Sequence, residues 1–282
     1  MNYSDTAIFT PDVPLNKYVD HITVNTFNSD SVIPQLVVPD GMTELVINFG
    51  SCYSRIDRIQ KKEFSVKGSH LIGLKSTYCF VKPSSSMDVI TIRFKIGALK
   101  NFTRIPQLLL VDKVIDANDI FGRDIERLES ELFQIKDIEV RMRLINKFLL
   151  SKLHYQNETP FDKVNKEMLV NVVNSNLKIN RLLEDKNYKT IERMFLKNMG
   201  ITPKKSINIL RFNFATYLCS QGNNLTQVAY KSGYYDQSHS IKSFMTYSGV
   251  TPKEYLKIND KLFKLNQERI NAQFIYPGIY KD

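Results

Sequence analysis

Between Gln237 and Phe244 the chain reads Gln237-Ser238-His239-Ser240-Ile241-Lys242-Ser243-Phe244, hydrogen-bonding side chains with one cation, closed by an aromatic ring. On a helix, Gln237, Ser238, His239, Ile241, Lys242 and Ser243 would include the groups facing bases and phosphates, with Phe244 turned into a core. A histidine simply solvated at a helix start is a nearly equal reading of His239. A second set, Tyr188, Lys189, Glu192 and Arg193 with Lys197 beyond, offers related chemistry. Arginine pairs bidentately with guanine, glutamate accepts from cytosine, and lysine meets phosphate.

Other chemistries find little support. Cys52, Cys79 and Cys219 are odd in number, widely spaced and form no C-x-x-C pair, so neither a disulfide framework nor a thiolate metal site is expected. His21, His70, His154 and His239 are equally scattered, without an H-x-H or H-E-x-x-H pattern. Ser84-Ser85-Ser86 lacks the setting of a nucleophile elbow. No catalytic residue, metal or cofactor is expected. One rival is a cysteine-dependent DNA-repair enzyme with an appended DNA-binding module, but Cys52 and Cys79 sit in β-like stretches without the basic surroundings that activate a thiolate. Another is an interaction protein whose DNA binding has decayed.

The two polar sets need helices to hold them. From Asp162 the pattern is helical, with helices expected over 162–175, 179–185, 188–198, 204–221, 225–231, 237–247 and 253–266. Gly200-Ile201-Thr202-Pro203 recurs 49 residues later as Gly249-Val250-Thr251-Pro252. Each suits a helix stop and restart: glycine with positive φ, a threonine cap, and proline in the first turn. Arg193 and Phe195 before the first turn match Lys242 and Phe244 before the second, which marks an internal duplication. Residues 179–198 and 225–247 therefore read as two helix-turn-helix units, with Ala229 small enough for a close crossing and Gly233 at the turn. An 18-residue helix between them would span about 27 Å, enough to hold two recognition helices near one duplex turn apart.

Charge agrees with this division. Residues 1–161 carry 20 basic and 19 acidic side chains, whereas 162–282 carry 19 and 10, so nearly all of the net +10 lies in the second part. Such an excess suits a polyanionic partner, and a lysine-rich solvated surface is the plain alternative.

The first hundred residues are rich in β-formers: Leu36–Val38, Leu45–Phe49, His70–Leu74, Tyr78–Val81 and Val89–Phe94, separated by Gly, Pro and Ser turns. Amphipathic helices follow over 123–135 and 137–153. The expected fold class is α+β: a β-rich N-terminal domain over 1–155 with helices at about 123–153, a linker over 156–161 where Pro160 discourages a continuous helix, an all-α domain over 162–266, and a tail over 267–282. Glu44 and Arg93 are candidates for an effector pocket. Glu44 is equally a turn-flanking strand residue, and Arg93 more commonly an ion-pair partner. Tyr217, Tyr234, Tyr247, Tyr255 and Cys219 read as core or rim packing.

The run from Val228 to His239, with Lys242-Ser243-Phe244 and Gly249-Val250-Thr251-Pro252-Lys253-Glu254-Tyr255, closely resembles the second helix-turn-helix of AraC/XylS-type regulators. Ile191–Phe195, Gly200–Lys204 and Leu210-Arg211-Phe212 resemble the first. The resemblance covers about 175–260. It implies a transcription regulator that binds double-stranded DNA and carries an N-terminal cupin-like barrel of unassigned ligand, here matched by Val38–Gly50 and Ile92-Arg93-Phe94. RNA polymerase, a small-molecule effector and a second copy of the chain are the further partners to consider. No membrane span or signal peptide is read, so a cytoplasmic location is expected. Three positions depart from the family pattern. Ser240 stands where a large apolar residue is usual, which predicts loose packing of the second recognition helix. Asn187 replaces a serine, and Ile179–Glu184 lacks a small crossing residue.

Overall fold

The computed structural model describes residues 3–28, 34–57, 62–154, 157–173 and 187–258. The expected helix 179–185, residues 259–266 of the last expected helix and the tail lie outside them.

Among its described residues the N-terminal part has ten antiparallel strands in two sheets. In the first the order is β1 (Tyr3–Phe9), β2 (Val19–Asn28), β9 (Ser86–Phe94), β4 (Thr43–Asn48), β7 (His70–Ile72) and β10 (Val114–Asp116). In the second it is β3 (Gln35–Val37), β8 (Cys79–Lys82), β5 (Tyr53–Asp57) and β6 (Lys62–Val66). The β-rich expectation holds, but among the described residues the ladder does not close into a barrel. The connections β4 to β5, β7 to β8 and β8 to β9 carry the chain from one sheet to the other instead of closing hairpins, which makes a sandwich.

Alternation assigns the two faces of the six-stranded sheet. Leu45, Ile47, Leu71, Ile90, Ile92 and Phe94 point to one side, where α1 (Ala117–Phe121), α2 (Arg123–Gln134) and α3 (Ile138–Lys152) cover them with Ile125, Leu132, Ile145 and Leu149. The opposite face, toward the second sheet, carries Glu44 beside Arg93 and Thr91 beside Val46 and His70. Tyr53 of β5 reaches across to His70 of β7, hydroxyl to Nε2, at 2.7 Å.

The helical part contains α4 (Pro160–Val173), α5 (Tyr188–Met199), α6 (Pro203–Ser220), α7 (Leu225–Lys231) and α8 (Gln237–Tyr247), and residues 252–258 are also helical. Helix α4 begins two residues earlier than expected. Pro160 opens this helix rather than interrupting it, since its missing N–H is no loss in a first turn. Thr159 and Asp162 exchange hydrogen bonds there, the Thr159 N–H donating to the carboxylate and the Asp162 N–H to the threonine hydroxyl.

The helical core is not closed on itself. Phe161, Phe195, Phe212 and Phe244 share one apolar cluster with Met42, Leu74 and Ile96 of the β-part. Polar links reinforce the joint: Lys100 to Asp162 at 2.8 Å, Asn165 Nδ2 to the Ile96 carbonyl at 3.0 Å, and Asn213 Nδ2 to the Pro39 carbonyl at 3.1 Å. No helix among the described residues is long and apolar enough to cross a membrane.

Candidate nucleic-acid interface

Both duplicated turns have the expected local chemistry. Gly200 and Gly249 each adopt φ +77°. Thr202 accepts from the Lys205 N–H, and Thr251 from the Glu254 N–H, with proline following each threonine. Between the turns, α6 is an 18-residue rod with Ile209, Phe212 and Ala215 fully buried.

Helix α7 starts at a capping box: Asn224 accepts from the Gln227 N–H, and Gln227 accepts from the Asn224 N–H. Val228 and Ala229 are buried, Gly233 takes φ +72°, and the Tyr234 N–H closes the turn on the Ala229 carbonyl at 3.0 Å. Helix α8 starts at Asp236, whose carboxylate accepts from the His239 N–H at 2.7 Å. The result is a short helix, a glycine turn and a second helix with Phe244 in the core, which is the helix-turn-helix that the spacing predicts.

On α8, Gln237, Ser238, His239 and Lys242 are exposed and Ile241 is half-buried. The His239 ring meets Tyr234 edge to face, with centroids 5.2 Å apart. Ser243 does not face outward: it is buried, and its hydroxyl lies 2.8 Å from that of Tyr234. It sits on the helix side that carries Phe244 and Tyr247, so the turn captures its hydroxyl as a packing group. Burial holds the Tyr234 phenol well above its ordinary value.

On α5, Lys189, Arg193 and Lys197 are exposed, Tyr188 and Glu192 are half-buried, and Ile191, Phe195 and Met199 face the core. Partial burial and the neighbouring Glu192 carboxylate both raise the Tyr188 phenol pKa. The Arg193 Nε–H reaches the Lys189 carbonyl at 3.3 Å, leaving the guanidinium folded along an exposed face. The helix that would precede α5 falls outside the described residues, so a complete unit is seen only in the second copy.

The 49-residue offset aligns the surfaces as well as the turns. Arg193 matches Lys242, and Lys189 matches Ser238, all exposed. The same offset pairs Ile191 with Ser240, which is buried with its hydroxyl lacking a partner. It also pairs His239 with Thr190, an exposed α5 residue that sequence reasoning passed over although the offset names it. Tyr230 and Tyr235, which the spacing does not single out, are among the most exposed apolar side chains, at 83% and 93%. In the Tyr234-Tyr235 doublet only the fold decides which ring turns inward.

The candidate pocket residues lie together on the inter-sheet face. Arg93 bonds Glu44 at 3.2 Å and also Asp40, and Glu44 faces Lys75 at 3.8 Å. Asp40 is held below the usual carboxylate range by Arg93 and Lys75, although burial alone would raise it. Cys219 is buried on α6, and burial pushes its thiol up to about 11. Among the described residues no cluster of histidine, cysteine and carboxylate groups could hold a metal.

Residues 185–258 match the family model of a helix-turn-helix domain, and residues 7–116 match that of a domain of unknown function, DUF6597. None of the curated protein sequences matches the chain. Among solved structures, ToxT from Vibrio cholerae is similar at 14% identity and a TM-score of 0.47, over 90% of this chain and 98% of that one. A ToxT structure with bound unsaturated fatty acid gives 14% identity and a TM-score of 0.43, over 91% and 95%. The AraC-like transcriptional activator CuxR gives 11% and 0.27, over 86% and 100%.

Proposed function

We propose that this chain, whose C-terminal unit is a helix-turn-helix domain of the AraC type, is a DNA-binding transcription regulator that lays α5 and α8 into successive major grooves of one duplex. The observation that carries this reading is the exposed polar strip of Gln237, Ser238, His239 and Lys242 on α8, repeated at a 49-residue offset by the exposed Lys189 and Arg193 of α5. Helix α5 leads into the start of the α6 rod, and α7 and α8 follow its end. Arg193 and Glu192 are base readers, Lys197 and Lys242 meet phosphates, and Tyr188 and Lys189 fix register.

The N-terminal unit, residues 1–155, serves as the sensory or dimerisation part, and the polar inter-sheet face with Glu44 and Arg93 is its effector site. An effector acts only through a difference in affinity between the DNA-competent and DNA-incompetent arrangements. RNA polymerase and a second copy of the chain are the protein partners consistent with this role.

The test uses the full chain. Selection from a random duplex library should enrich one motif, and hydroxyl-radical footprinting on it should show two protected patches on one face, about 10 base pairs apart. Affinity should fall linearly with salt on logarithmic axes. No enriched motif, or binding indifferent to salt, would remove the reading.

A further inference from the structure

The turns that follow α5 and α8 rest on different loops of the β-part, and those two loops are tied to each other. At the Gly200 turn an added Cβ would lie 2.5 Å from Val111 Cγ2 and 2.6 Å from the Gln107 carbonyl; at the Gly249 turn it would lie 2.3 Å from the Tyr78 ring. Asp112 follows Val111 directly, and Ser76 stands two residues before Tyr78. One oxygen of the Asp112 carboxylate accepts from the Ser76 N–H at 2.6 Å, and the other from the Ser76 hydroxyl at 2.5 Å. In return the Asp112 N–H donates to the Leu74 carbonyl at 2.9 Å, and the Gly73 N–H to the Lys113 carbonyl at 3.0 Å. The backbones meet so closely that a Cβ at Gly73 would lie 1.7 Å from the Leu110 carbonyl. A continuous line of contacts therefore runs from the first turn through 107–112 to 76–78 and on to the second turn. Asp112 takes φ +59° to make its part of it, and among the described residues no other non-glycine residue lies at positive φ. Aspartate enters that region more readily than most residues, and a carboxylate accepts short, strong hydrogen bonds. The α6 rod already joins the two units; a second connection, off the rod's axis, opposes rotation of one unit against the other.

We propose that Asp112 is a positioning residue for DNA binding: by tying the two seats together through Ser76, its carboxylate sets the separation and rotation between α5 and α8, and with them the operator spacing that the chain accepts. The proposal rests on the reading above, in which α5 and α8 enter successive grooves. One base pair inserted between the operator halves moves the far groove by about 3.4 Å and turns it by about 35°. Units tied through Asp112 do not follow that shift, whereas untied units follow it in part.

The test uses the full chain and the duplex enriched by selection. Fluorescence anisotropy compares that duplex with versions carrying one base pair more or fewer between the halves, and with versions in which one half is scrambled. The parent should lose about tenfold or more in affinity for either change of spacing. Asp112→Gly keeps the left-handed backbone without strain and removes the carboxylate, so the same loss should shrink to about threefold or less. Its affinity for the half-scrambled duplexes should match the parent's. Ser76→Ala, which leaves the amide bond in place, should fall between the two. Asp112→Asn, which tolerates the left-handed backbone and still accepts from the Ser76 N–H, should restore most of the parent's discrimination. An unchanged spacing penalty in Asp112→Gly, or an equal loss on whole and half-scrambled duplexes, would overturn the proposal and leave the two-groove reading standing. A parent chain indifferent to spacing would remove both.

Discussion

At the scale of single residues, exposure and charge separate the side chains proposed to meet DNA from those that hold the helices. Arg193→Ala should cost about 1–3 kcal/mol of operator affinity and relax the preference at one base pair, because a bidentate contact is lost. Lys242→Ala should weaken binding evenly across sequences and lower the salt slope by about one. Fluorescence anisotropy over a salt series, with thermal melts as a folding control, separates the two. The orphan hydroxyl of Ser240 predicts that Ser240→Ala stabilises the chain, by about 1 kcal/mol in urea unfolding, since a buried polar group without a partner disappears. A midpoint that falls would show that the hydroxyl is satisfied after all. His70 gives a pH signature. Its folded pKa is depressed below 6.5, so below that pH the unfolded chain binds a proton that the folded chain refuses. The His70 contribution is therefore full above pH 6.5 and declines on acidification, a loss that should flatten in His70→Gln.

At the scale of elements, turns and caps were the most legible features, because their chemistry is local. Gly200-Ile201-Thr202-Pro203 specifies its own conformation, and α2, α3, α6, α7 and α8 were found within a residue or two. Strands β1, β2, β5, β6 and β10 carry no comparable run of β-formers between turn signals. Segments such as Lys62-Glu63-Phe64-Ser65-Val66 are mostly polar, and their pairing is set by distant strands. The site was half legible for a similar reason: the exposed strip follows from helical period, whereas the inward turn of Ser243 onto the Tyr234 hydroxyl follows only from tertiary packing. The glycines supply an element-scale prediction. Gly200 and Gly222 both sit at φ +77°, but a Cβ at Gly200 would lie 2.5 Å from Val111 Cγ2 and 2.6 Å from the Gln107 carbonyl, while at Gly222 it would meet open space. Gly222→Ala should cost about 1 kcal/mol for its left-handed backbone, and Gly200→Ala distinctly more. Equal losses in denaturant midpoint would contradict the close approach.

At the scale of the molecule, one apolar cluster runs through the helical part into the β-part, so sequence boundaries near 156–161 do not mark a boundary in packing. The full chain should unfold in a single calorimetric transition, with matching near- and far-ultraviolet dichroism midpoints. Two separated transitions would mean that the joint adds little. Seating at this joint is also specific. The turn after α5 abuts Gln107 and Val111, and the turn after α8 abuts Tyr78, each so closely that a single methyl would collide. Both jaws of a caliper are thereby fastened to one plate. A regulator built so tolerates little error in the distance it measures: lengthening its operator by half a helical repeat should abolish binding, a full repeat should not rescue it, and any ligand that warps the plate resets the gauge.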